Sequence, residues 1–104
     1  MIKVTVQKHE GLITDLKVSG HSNSAEYGRD LVCAGVSCIL TGGANALDIL
    51  THDDCEVTLD EGFFEAHLIH ATHETDTILN TVLIQLKTIQ EQYSRFIKIT
   101  ITEV

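Results

Sequence analysis

The chain has 104 residues, enough for one domain that buries roughly two-thirds of the surface its unfolded form would expose, and 43% of them are hydrophobic. Fifteen acidic residues against seven basic ones leave a formal net charge of −8, which argues against direct binding to nucleic acid and favours a cationic partner, although the same charge also keeps a small protein soluble. Three cysteines, an odd number, with no secretory segment and no apolar run of about 18 residues, exclude a disulfide framework and predict a cytoplasmic chain with reduced thiols and no membrane span.

Ile2, Val4 and Val6 alternate with Lys3, Thr5 and Gln7, and Leu12, Thr14, Leu16 and Val18 alternate with Ile13, Asp15 and Lys17. Both segments have the period of half-buried strands, the second running to Gly20. His9, Glu10 and Gly11 form the hairpin turn between them, with Gly11 supplying a positive φ. Residues 21 to 29, HSNSAEYGR, have no periodicity; with Gly20 and Gly28 as hinges they are expected to form a mobile lid. From Asp30 to about Leu50, Val32, Val36, Ile39, Leu40, Leu47 and Leu50 recur at helical spacing. Gly42-Gly43 inside this helix marks either a kink or the close approach of another backbone.

Cys55, Val57 and Leu59, a turn at Gly62, then Phe64, Ala66 and Leu68 predict a second hairpin. Thr72 to Gln92 is the second helix, with Ile78, Leu79, Val82, Leu83, Leu86, Ile89 and Tyr93 as its apolar stripe and Glu74 and Asp76 at the positive end of its dipole. Ile97, Ile99 and Ile101 alternate in a last strand. The order ββαββαβ predicts an α+β fold over residues 1–104, a two-layer sandwich with both helices on one face of a five-stranded sheet.

The chemistry concentrates where the second strand meets the first helix. Asp30 is a good helix cap whose carboxylate can accept the N–H of Cys33, which places Cys33 in the first turn, where free N–H groups and the helix dipole favour a nucleophilic thiolate. The charge of Asp30 opposes this, and a protonated His21 at the strand end would offset it. Asp30 serves as a cap alone or also orients His21. Ser37, one turn after Cys33, either supports the site or bonds back to its own helix. Cys38 lies about 140° around the helix from Cys33 and is expected to be structural, as is Cys55 on the apolar phase of its strand. His67, His70 and His73 are evenly spaced, but a strand sends residues 67 and 70 to opposite faces, so no metal site is expected. His9 and His52 stand near turns and need no special role.

The segment GHSNSAEYGRDLVCAGVSCIL, residues 20 to 40, resembles the signature of the ribosomal-processing cysteine protease family, Prp. The pattern GHxxxAxxGxDxVCAxVSxxL is filled by Gly20, His21, Ala25, Gly28, Asp30, Val32, Cys33, Ala34, Val36, Ser37 and Leu40. Likeness in length and element order covers most of the chain. Ser22 and Gly35 depart from the pattern, and Gly35 lowers helix propensity by up to ~1 kcal/mol relative to Ala. The resemblance implies Cys33 as nucleophile, His21 as general base and Asp30 nearby, in a cofactor-free homodimer. As substrate it implies an N-terminally extended large-subunit ribosomal protein, cut after an extended apolar stretch that ends in aromatic residues. Backbone N–H groups at the helix start are suited to an oxyanion hole, and a sheet edge is suited to an extended peptide. Two other readings remain open: a non-enzymatic ribosome-assembly factor in which Cys33 and His21 are structural, and a thiol redox sensor, which the absence of a C-x-x-C pair disfavours.

Overall fold

A computed structural model describes residues 1–20, 29–51 and 55–104, with Arg29 described by its backbone alone. The elements follow the predicted order: β1 (Ile2–His9), β2 (Leu12–Ser19), α1 (Arg29–Leu50), β3 (Cys55–Asp60), β4 (Phe63–Leu68), α2 (His73–Gln92) and β5 (Ile97–Glu103). They form one five-stranded mixed sheet in the order β3-β4-β2-β1-β5, antiparallel except that β5 runs parallel to β1. Both helices pack on the face that carries Val4, Val6, Leu16, Phe64, Ala66 and Ile97 and share one core with it. The alternate residues Lys3, Thr5, Gln7, Lys17 and His67 are exposed on the other face.

Glu10 (φ 51°) and Gly11 (φ 83°) form a two-residue turn with both residues left-handed, the geometry that follows the twist of the strands it joins. The simple alternation expected in β2 is interrupted. Ile13 is buried, while Leu12 and Thr14 are only half-buried. Gln7 pairs with Asp15 but Lys8 pairs with Ile13, so Thr14 is an extra residue in a bulge that switches the inward phase. The Ile13 N–H donates to the Asp76 carboxylate on α2 at 2.8 Å, and Asn80 holds the other oxygen of that carboxylate at 2.9 Å.

Helix α1 begins at Arg29, assigned from sequence to the preceding loop, so Asp30 stands inside the first turn rather than at the cap. Its buried stripe is Val32, Val36, Leu40, Gly43 and Leu47, continued by Thr51. Leu50, expected on that stripe, is 66% exposed, because the step of four from Leu47 falls on Thr51. Cys38, expected to be structural, is exposed. Where the sequence offered a kink or the approach of another backbone, Gly43 instead meets a side chain: a Cβ there would lie 2.7 Å from Cγ2 of Val82 on α2, whereas one on Gly42 would meet nothing within 4 Å. By length and composition alone α1 could cross a bilayer, but here its apolar stripe lies on the sheet.

Thr72 is the N-cap of α2 rather than its first helical residue, in a reciprocal box with the fully buried Thr75. Leu79, Val82, Leu83 and Leu86 are buried as the helical spacing predicts. In β3, Val57 and Leu59 pair with Ala66 and Phe64 and therefore lie on the core face, yet they are 37% and 53% exposed because this edge strand extends beyond the cover of α1.

Candidate active site

The strand pairings bring the end of β2 to the β3–β4 turn. Ser19 lies opposite Phe63, and the N–H of Gly20 donates to the carbonyl of Gly62 at 3.0 Å. Gly20 has φ +95°, and a Cβ there would collide with the Met1 carbonyl. Only glycine fits this position on both counts. Its amide side is thus fixed to the sheet, so any hinge at Gly20 can turn only beyond its Cα.

Cys33, the fifth residue of α1, opens the second helical turn, so it lies deeper along the helix than the first-turn placement expected from sequence. It is half-buried and packs against the core. Cys33, Ser37 and Thr41, spaced one turn apart, line one wall of a cavity of about 210 Å³. Across from them stand Leu59, Gly62 and Gly20, and the cavity is closed underneath by the core side chains Ile2, Val18 and Phe64. The lining is mixed, with Ser37, Thr41 and Asp60 beside the apolar side chains, and the half-buried thiol is in reach of a molecule that enters it.

Of the residues singled out from sequence, the structure brings Gly20, Cys33 and Ser37 to one cavity. Asp30 sits three residues before Cys33 in the first turn of the same helix and is exposed. His21, Gly28 and the lid at 21 to 29 lie outside the described residues, apart from the Arg29 backbone. Cys55 is half-buried against the core, and Cys38 lies in the groove between the two helices, away from the cavity. His67 does not meet His70 and His73; its Nδ1 is 2.7 Å from Asp15 Oδ1 on the neighbouring strand. That hydrogen bond, the Asp15 charge and weaker contributions from Glu56 and Glu65 outweigh a small desolvation and raise the His67 pKa above its ordinary 6.5. Leu59, Thr41 and Gly62 were not anticipated in the site. Leu59 and Gly62 were recognised only as strand and turn, and nothing local in the sequence reveals which strand lies beside which.

A half-buried helix thiol beside a recess of mixed polarity in an α+β sandwich is an arrangement compatible with the class of cysteine peptidases. The sequence profile of the family described as Cysteine protease Prp matches residues 1–98, and the chain belongs to that family. The ribosomal processing cysteine protease Prp of Staphylococcus aureus (strain Mu50 / ATCC 700699) is 37% identical over 101 residues, covering 94% of each chain. That of Bacillus subtilis (strain 168) is 30% identical over 108 residues, covering 96% of each. The crystal structure of the S. aureus protease with a covalently linked product peptide superimposes with a TM-score of 0.86 at 35% identity, over 97% of this chain and 99% of that one. The same S. aureus protein with a substrate peptide gives 0.84 at 32% identity, over 97% and 99%. Membership of a cysteine protease family sets aside the non-enzymatic and redox-sensor readings.

Proposed function

We propose that this protease removes the N-terminal extension of a large-subunit ribosomal protein in the cytoplasm, with Cys33 as nucleophile and His21 as general base. The observation that carries the dyad is that Gly20, the residue joined to His21, lines the same cavity as Cys33. His21 takes the thiol proton as Sγ attacks the scissile carbonyl carbon. Collapse of the tetrahedral adduct breaks the C–N bond, and the proton passes to the leaving amine. Water, deprotonated by His21, then attacks the thioester carbonyl; the C–S bond breaks, the carboxylic acid product leaves, and the proton held by His21 returns to the sulfur. Ser37 is the nearest hydroxyl on the same helical wall and supports the site, and Asp30 in the turn before Cys33 is suited to orient His21.

The substrate reading draws on the ribosomal processing named for the relatives and on the net charge of −8, which suits a basic protein partner and disfavours direct contact with RNA. No cofactor enters the reaction as written. The enzyme acts as a homodimer. Supporting this, the groove of about 350 Å³ between α1 and α2, with Cys38, Gly42, Ala46, Ile78, Thr81 and Gln85 along it, carries no charge among its described lining residues. On so acidic a chain, an uncharged face is where two copies can meet without repulsion.

The test is to incubate the purified protein with the host's N-terminally extended ribosomal precursors and follow intact masses. One precursor should lose a short N-terminal peptide with the wild type and none with Cys33→Ala. No mass loss in any precursor would refute the reading.

A further inference from the structure

The cavity at Cys33 holds one group that the reaction as written does not use. Among the described residues that line it, Asp60 is the one that carries a charge. Asp60 is the last residue of β3, and its Oδ1 accepts the N–H of Glu61 at 2.8 Å, which ties the carboxylate to the β3–β4 turn. One oxygen is engaged in that bond, and the second can accept another donor. The same turn holds the end of β2: the carbonyl of Gly62 accepts the Gly20 N–H at 3.0 Å, and Phe63 pairs with Ser19 on one side and with Asp60 on the other. The chain therefore passes from Gly20 into His21 at the turn that carries this carboxylate. Asp30, the other acid close to the nucleophile in sequence, is exposed in the first turn of α1 and lies outside the described lining of the cavity.

Resting on the protease reading above, we propose that Asp60 is the positioning acid of the reaction: its second oxygen accepts one ring N–H of His21 and holds the other ring nitrogen for the Cys33 thiol. When His21 takes the thiol proton, the ring becomes positively charged, and a carboxylate bonded to it favours that charged form. The proton moves only between Sγ, the imidazole and the leaving amine, while Asp60 stays ionised throughout. Asp30 is the rival for this task, but it stands on the helix of the nucleophile, where its charge opposes the thiolate as well. Asp60, next to Leu59, comes from the wall across the cavity. The other charged groups described around it lie outside the cavity lining: Glu61 on the turn, Lys17 on β2 with its Nζ 5.6 Å from the centre of the Phe63 ring, and Asp30 on α1.

The test is the pH profile of kcat/KM on a peptide spanning the bond cut in the precursor. Asp60→Asn isolates the charge, because an amide oxygen still accepts the Glu61 N–H and keeps the turn. Glu61→Gln removes the same charge one residue away. In Asp60→Asn, kcat should fall about tenfold or more with KM within about twofold of the wild type. The basic limb of the profile, where the imidazolium loses its proton, should move towards neutrality by about half a pH unit or more, because the carboxylate no longer favours the charged ring. Asp60→Glu should restore part of that shift, Glu61→Gln should leave rate and limb in place, and Asp30→Asn should move the limb less than Asp60→Asn does. An unmoved basic limb in Asp60→Asn, or an equal shift in Glu61→Gln, would reduce Asp60 to a surface charge while the protease reading stands. A larger shift in Asp30→Asn would give the role to Asp30 instead. If the wild type cleaves no precursor, the protease reading fails and the role of Asp60 fails with it.

Discussion

Exposure alone would make Cys38 the most reactive of the three thiols, since it is exposed while Cys33 and Cys55 are half-buried. Activation of Cys33 as the nucleophile requires the reverse order. With iodoacetamide near neutral pH, peptide mapping should show Cys33 labelled first despite its lesser exposure. Labelling in the order of exposure would remove the case for an activated thiol. Gly43 offers a second test at this scale, because a Cβ there would lie 2.7 Å from the branched, buried Val82. Gly43→Ala gains helix propensity but forces apart a close contact of α1 with α2, so a net loss of about 1–3 kcal/mol is expected. Val82→Ala in the same chain should recover part of it, and a double-mutant cycle in urea unfolding should give a coupling of at least about 0.5 kcal/mol. Independent, additive effects would mean that the helices separate there without cost.

Among the elements, α2 is fixed to the sheet by more than its apolar stripe. Asp76 accepts the N–H of Ile13, next to the bulge in the β1–β2 ladder. Asp76→Ala leaves this partly buried donor without its partner and should cost about 1.5–3 kcal/mol. Asp76→Asn, which keeps an acceptor oxygen, should cost less, and chemical denaturation of the two variants makes the comparison. These cases show what could be read in advance. Strands, helices and both turns were legible because alternation and helical spacing are local, and the helical stripe of α2 was correct because Thr72 and Thr75 cap it cleanly. The bulge at Thr14 was not legible, since it depends on pairing with Gln7 and on a carboxylate more than sixty residues away. The motif marked Cys33 and Gly20, but Leu59 and Gly62, which stand with Gly20 across from Cys33, belong to β3 and the β3–β4 turn. The place of that hairpin beside β2 is a matter of strand order, which no local pattern records.

For the whole molecule, the open face of the sheet carries a pH-dependent contribution. His67 pairs with Asp15 across β2 and β4, and its pKa is raised above 6.5. A raised histidine pKa stabilises the fold fully below the unfolded value and ceases to do so as pH rises through the folded value. The melting temperature of the wild type relative to Asp15→Asn should therefore be most favourable near about pH 6 and decline through neutrality. A difference that does not change with pH would show that the pair does not couple to folding. The His67 side chain is 53% exposed, so the effect will be small and will weaken with salt. The proposed dimer belongs to the same scale: Thr81→Glu places a charge in the uncharged α1–α2 groove and should shift sedimentation towards the monomer, while an unchanged sedimentation coefficient would locate the interface elsewhere.

The parallel pairing of β1 with β5 also bears on how the enzyme comes into being. Ile2, whose side chain closes the Cys33 cavity from below, lies opposite Ile97 and bonds through its N–H to the carbonyl of Phe96. At ordinary rates of translation, roughly 5–20 residues per second, a nascent chain spends about 5–20 s with one edge of β1 unpaired before its partner emerges. During that interval the apolar strand is open to wrong pairing, and the floor of the site lacks its final support. Proteolytic competence should therefore appear late and abruptly in synthesis. Ribosome-bound chains stalled before Phe96 should leave Cys33 no more reactive than an unfolded thiol, and those carrying β5 clear of the exit tunnel should acquire the reactivity of the finished enzyme.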